Sequence, residues 1–198
     1  NDNNALFSAQ PAVAADGTLT FTAAANANGS ATVTVTLHDD GGTLNGGVDT
    51  SVEQTFTITV IPLNDAPTVA SPLVDVTVDE DAAPVTVDLR NVFADVDIAT
   101  NADALTLSVS GNTNADLVTP TLNGNSLTLA FAANQNGAAT ITVRATDKDG
   151  AYVEDSFVLT VNAVNDPPTV ASSIADVTVD EDAASVTVDL RGVFADVD

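Results

Sequence analysis

The chain has no cysteine and no tryptophan, one tyrosine, one histidine, and four lysines and arginines in 198 residues. Each scarcity removes a class of function. Without cysteine there are no disulfides and no thiolate metal sites, so any stiffness must come from packing or from metal held by oxygen. With His38 as the single histidine, the sequence holds no Ser-His-Asp set, and it has no glycine-rich phosphate loop. The few basic residues face 28 acidic ones, a formal charge of -24, so no basic patch exists to displace counterions and nucleic acid is excluded as a partner. Aromatics at 4% leave few platforms for stacking on sugars. No apolar run reaches the length of a membrane span, and no signal peptide opens the chain.

What the chain does have is a stretch that it contains twice. NDAPTVASPLVDVTVDEDAAPVTVDLRNVFADVD begins at Asn64 and NDPPTVASSIADVTVDEDAASVTVDLRGVFADVD at Asn165, an ungapped offset of 101 residues with six differences. The segments before these stretches repeat too: SFVLTVNAVND ending at Asp166 matches TFTITVIPLND ending at Asp65. A tandem array follows. Its register predicts the back part of one repeat in residues 1–63, a complete repeat in 64–164 and the front part of the next in 165–198. Half of a sandwich exposes an apolar face and an open edge. The missing parts come either from neighbouring repeats of a longer array, or from head-to-tail copies joined into a fibre.

Apolar and polar residues alternate with period two, rich in Val, Thr, Ile and Leu, and no helical period competes. The complete repeat is expected to form strands at 74–78, 85–89, 104–109, 117–121, 126–131, 139–145 and 155–163. Seven short strands predict an all-β fold, an antiparallel two-sheet sandwich of seven strands with Greek-key connections. Leu127, Leu129, Ile141, Val143, Phe157 and Leu159 fall on its core face, and Phe93 and Phe194 are expected to plug the sandwich ends. Asn123-Gly124 and Asp149-Gly150 sit where tight turns need positive φ. The first repeat carries seven extra residues within GGTLNGGVDTSVEQ, a longer hairpin loop.

Tracing strand directions sorts the acids by pole. Asn64, Asp65, Asp95, Asp97, Asp147 and Asp149 converge at one end of the complete repeat; Asp79, Glu80, Asp81, Asn165, Asp166, Asp196 and Asp198 converge at the other. Asp outnumbers Glu by 24 to 4. Short carboxylates gathered at strand ends either repel one another or share a cation, and a set of carboxylate, Asn and backbone oxygens suits Ca²⁺. Each motif also has a plain reading: a rigid linker for the Asn-Asp-Pro segments, a solvated turn for VDED, and an Asx-turn for Asp95-Val96-Asp97. His38 reads as a strand-end residue.

The NDAPTV and NDPPTV linkers, VDED, FADVD and RATDKDG resemble the bacterial cadherin-like and Ig-like tandem repeats of large secreted, RTX-type adhesins. The resemblance covers the whole chain. It implies tandem cadherin/immunoglobulin-like β-sandwiches, calcium at the linkers and an extracellular, cell-surface location. Its acidic residue after the first strand falls on Glu80 and Glu181, its linker pair on Asn64-Asp65 and Asn165-Asp166, and its Asp-x-Asp pair on Asp95/Asp97 and Asp196/Asp198. The Asp before the final hairpin falls on Asp147, and on Asp39 in the first repeat. The acidic motif that animal cadherins carry before the sixth strand is missing from FAANQNG, so one or two ions per junction are implied rather than three. Three functions stand open: a calcium-stiffened extender segment of an adhesin or extracellular filament, a module binding glycans or cell-surface and matrix ligands, and accessory repeats of a secreted enzyme. None of them makes this segment itself an enzyme.

Overall fold

The computed structural model describes residues 1–197; Asp198, the last of the expected acidic ligands, lies outside the described residues. β-Branched residues on alternate positions favour the pleated, half-buried strand, and strands are the main regular elements of the chain. The first are β1 (Phe7–Val13), β2 (Leu19–Ala23), β3 (Gly29–Val35) and β4 (Gln54–Val60). The two-residue β5 (Thr68–Val69) precedes β6 (Val76–Asp79), β7 (Val85–Asp88) and β8 (Phe93–Ala94). A single turn of helix, α1 (Asp97–Thr100), leads to β9 (Thr106–Asn112), β10 (Val118–Asn123) and β11 (Ser126–Phe131). The long β12 (Gly137–Thr146) and β13 (Tyr152–Asn162) follow, with β14 (Thr169–Val170) and β15 (Phe194–Ala195) last.

Two compact units form. The first gathers residues 1–69, 93–106 and 145–153. In it β1 pairs with β2 and β3 with β4, both antiparallel, around Leu6, Phe7, Ala31, Val33 and Ile58. Phe7 meets Phe21 edge-to-face at 5.7 Å, the geometry that ring quadrupoles prefer. The hairpin loop ahead of β4 is exposed, with Leu44 and Val48 at its tip.

The second unit gathers residues 70–92, 107–144 and 154–198. Most of its strands belong to a three-stranded sheet, β10-β11-β7, and a four-stranded one, β6-β13-β12-β9, and β14 pairs with β15. Leu127, Leu129, Ile141, Val143 and Leu159 are fully buried and Phe157 nearly so, as their alternation requires. Gly124 and Gly150 take φ of 56° and 92° in the turns that Asn-Gly and Asp-Gly marked.

Three features depart from expectation. The sandwich is not wholly antiparallel, because β6 runs parallel to β13, with Val76 opposite Leu159 and Asp79 opposite Asn162. β6 takes the edge of the four-stranded sheet beside β13, a neighbour that alternation does not specify. Helix α1 escapes a periodicity argument because four residues complete barely one turn. Phe93 is buried, but Phe194 is 60% exposed. Phe93 shares its compact unit with residues 97–106, whereas Phe194 lies on β15, which among the described residues pairs with β14 alone.

Candidate metal centre

The centre lies in the first compact unit and begins as a hook of backbone. Asp95 Oδ1 accepts the N–H of Asp97 at 2.8 Å, an Asx-turn that points the chain into α1. The carbonyl of Asp97 then accepts two N–H groups, from Asn101 at 2.8 Å and Asp103 at 3.2 Å. Ala102, with φ of 55°, closes the hook in the left-handed region. This places Asp103 beside Asp95, eight positions earlier. The turn after β12 delivers Asp147 to the same place. Asp147 Oδ1 accepts the N–H groups of Asp149 at 2.9 Å and Ala151 at 2.8 Å.

One carboxylate oxygen each of Asp95, Asp103 and Asp147 lies within 4.8 Å of the other two. Asp103 and Asp147 are 6% and 5% exposed, and Asp95 is half-buried. Asp103 Oδ1 accepts the N–H of Lys148 at 3.1 Å, but Asp103 Oδ2 and Asp95 Oδ2 are buried and accept no hydrogen bond. A buried ionised oxygen without a donor is costly, and three close carboxylates raise that cost by mutual repulsion. A cation removes both penalties. Two oxygens on opposite sides of one Ca²⁺ stand about 4.6 to 5.2 Å apart, twice the usual Ca–O distance, so the three fit a single ion. The donors are all oxygen, which selects a hard cation over zinc or copper.

The linker reaches this cluster directly. Asn64 Nδ2 donates to Asp147 Oδ2 at 2.9 Å, and the Asp65 N–H donates to Asp97 Oδ2 at 2.7 Å. The Asn64 amide, followed by the N–H groups of Ala151, Gly150 and Asp149, holds the Asp147 carboxyl below the ordinary carboxylate value, against the opposing effect of burial. Asp97, buried, is further held by Asn101 and Thr100 at its Oδ1. Asn101 Oδ1 accepts a bond of 2.8 Å from Asn28 Nδ2, tying the loop before β3 to the same hook.

The other expected ligands divide. The Asp65 and Asp149 side chains are exposed, and each residue reaches the centre through its backbone N–H. Asp39 is exposed and turns its Oδ1 to the Gly41 N–H at 2.8 Å. Near it, His38 Nε2 stands 3.9 Å from Asp49. In the second unit Glu80 is buried, its Oε1 accepting the Val164 N–H at 2.6 Å. Asp79 accepts from Asn162 Nδ2 at 3.1 Å, and Asp81 from the Asn134 N–H at 3.1 Å. Asn165 donates to the Asp166 carbonyl at 2.8 Å; Asp196 and Glu181 are exposed. Among the described residues these acids form no cluster of three comparable to Asp95, Asp103 and Asp147.

Asp103 is the member of this carboxylate cluster that sequence reasoning missed. Residues 98–111 have no second copy in the chain, so the repeat comparison is silent there. The one local signal is an isolated acid two residues ahead of an alternating run.

Among solved structures, the chain is similar to extracellular cadherin domains 1-4 of protocadherin gamma B7. The identity is 22%, the TM-score 0.51, and the match covers 93% of this chain and 46% of that one. Protocadherin gamma B2 domains 1-5 match at 16% identity and TM-score 0.48, over 86% of this chain and 34% of that one. An endo-fucoidan hydrolase of glycoside hydrolase family 107 matches at 21% identity and TM-score 0.37, over 74% of this chain and 20% of that one. The chain thus spans less than half the length of these structures. No curated protein matches it. No helix of the described residues is long and apolar enough to cross a membrane. The all-β, multi-sheet fold is of the Ig/cadherin-like sandwich type. The family model for the bacterial Ig domain matches residues 64–162, half of the sequence, and the chain belongs to that family.

Proposed function

We propose that this chain is a calcium-stiffened structural segment of a large extracellular bacterial adhesin, spacing its binding parts from the cell surface. The observation that carries this reading is the pair of bare, buried carboxylate oxygens on Asp95 and Asp103, facing Asp147. Asp95, Asp103 and Asp147 would hold the ion, with Asn64 and Asp97 bracing them from the linker and from α1. Bound calcium supplies positive charge that converts mutual repulsion of the acids into attraction. The linker is then fixed because Asn64 grips a carboxylate that the ion also grips. Tandem units joined in this way resist bending at each junction. Millimolar affinity suffices outside cells, where calcium itself is millimolar.

The test is calorimetry in chelator and then in millimolar calcium. A rise in melting temperature is expected, with heat of binding that disappears in Asp103→Asn. A melt unchanged by calcium would sink the reading. The acidic turn Asp79, Glu80, Asp81 with Asn165, Asp166 and Asp196 is proposed as the equivalent centre at the following junction.

A further inference from the structure

Two asparagines outside the carboxylate cluster join it to the loop between β2 and β3. Asn28 Nδ2 donates to Asn101 Oδ1 at 2.8 Å, and both residues are half-buried. Asn101 is engaged at every other polar group as well: its N–H donates to the Asp97 carbonyl at 2.8 Å, its Nδ2 donates to Asp97 Oδ1, and its carbonyl accepts from Lys148 Nζ at 3.4 Å. It is the hub between hook and loop.

Charge fixes which way this amide pair points. An Asn101 side chain turned over would set its oxygen against the Asp97 carboxylate, two acceptors with no proton between them. Asn101 therefore offers oxygen to the loop, and only a donor can meet it. Asn28 supplies that donor from a turn that its own sequence builds. In AANANG at 24–29, Asn26 and Gly29 have φ of 56° and 125°; in AANQNG at 132–137, Asn134 and Gly137 have 53° and 133°.

The contact adds a second line of attachment to the centre. Gly29 stands opposite Val60 where β3 and β4 pair. Beyond Val60 the chain runs to Asn64 and Asp65, which reach Asp147 and Asp97; before Gly29 it reaches Asp97 through Asn28 and Asn101. One tether leaves a swivel, and two from adjacent strands oppose it. The hook also carries Asp103, because the Asp97 carbonyl accepts the N–H groups of both Asn101 and Asp103. Holding Asn101 thus narrows the positions open to the Asp103 carboxylate.

We propose that Asn28 is a positioning residue of the ion site: acting through Asn101, it couples calcium occupancy to the order of the loop between β2 and β3. The proposal rests on the calcium reading above. Asn28 acts on the ion at one remove, as a donor to Asn101. Coupling is reciprocal, so calcium steadies the loop by the same factor by which the loop tightens calcium.

Calcium titration calorimetry on the whole chain, with Asn28→Ala, Asn101→Ala and the two combined, tests the proposal. Asn28→Ala should weaken calcium about three- to tenfold, the worth of one half-buried neutral hydrogen bond. In the Asn101→Ala background the same substitution should change affinity by less than about twofold. Hydrogen exchange supplies a readout that loop stability alone would not move. Calcium should slow exchange at residues 26–29 in the parent by a factor similar to the affinity change, and should lose that effect in Asn28→Ala. Unchanged affinity in Asn28→Ala, with the heat of binding still abolished by Asp103→Asn, overturns the coupling and leaves the calcium reading standing. A weakening that persists in full without the Asn101 side chain overturns the route through Asn101. A parent chain that gives no calcium heat overturns the calcium reading and this proposal with it.

Discussion

Single residues set the electrostatics of this protein, and Asp103 is the sharpest probe among them. In chelator it is a buried charge beside like charges; under the calcium reading proposed above it becomes a ligand. Asp103→Asn therefore has opposite effects in the two conditions. Without calcium the variant should melt at or above the parent temperature. At calcium tenfold above Kd the parent should gain about 1.4 kcal/mol that the variant does not. Asp147 gives a pH signature. Its folded value is held below 3.8, so its contribution to stability is complete above that unfolded value and is lost as pH falls through the lowered folded one. Calcium-free melts should thus be level above about pH 5 and decline below about pH 4, with a shallower decline in Asp147→Asn. Asp88 is also held low, at about 2, by the Arg90 guanidinium, yet both side chains are mostly solvent-exposed. Arg90→Ala should leave the melting temperature almost unchanged, because water screens such pairs.

Strands and turns account for the next level. β11, β12 and β13 were legible because their alternation is strict and one face is wholly buried, which leaves a single workable register. Phe157→Ala should cost about 3 to 5 kcal/mol in denaturant unfolding, through a cavity at the centre of β13. The parallel partnership of β6 with β13 was not legible, since alternation says which face is buried and nothing about which neighbour lies alongside. The hook from Asp95 to Asp103 was half legible. Asp-x-Asp signalled a turn, but α1 and the left-handed Ala102 have no propensity signal strong enough to bring Asp103 back. Glu80 marks a further limit. VDED reads equally as a solvated turn or an anchor, and only the seat on Val164 decides between them. Glu80→Ala should cost about 1 to 3 kcal/mol by orphaning that N–H. The identical substitution at exposed Glu181 should cost the isolated chain nothing measurable by the same denaturant titration.

At the scale of the whole molecule, a formal charge of -24 opposes compaction. In chelator, stability should rise with sodium chloride as screening relieves the acidic clusters; in millimolar calcium that salt dependence should flatten, since the worst repulsions are already neutralised. Urea midpoints across a salt series read both slopes. The amino-acid order alone determined that this chain is all-β, that it holds a stretch of its own sequence twice and that its acids gather at strand ends, because period two, internal identity and residue type are properties of the chain itself. The tertiary structure decided which acids meet. Asp103 joins Asp95 and Asp147 through a backbone hook, while Asp149 and Asp39 turn to solvent. It also decided that the VDED turn at Glu80 is seated on the Val164 N–H, which the motif alone left open. The physical reason is the same in both cases: a carboxylate or a valine has one identity in sequence, but its energy depends on what packs against it.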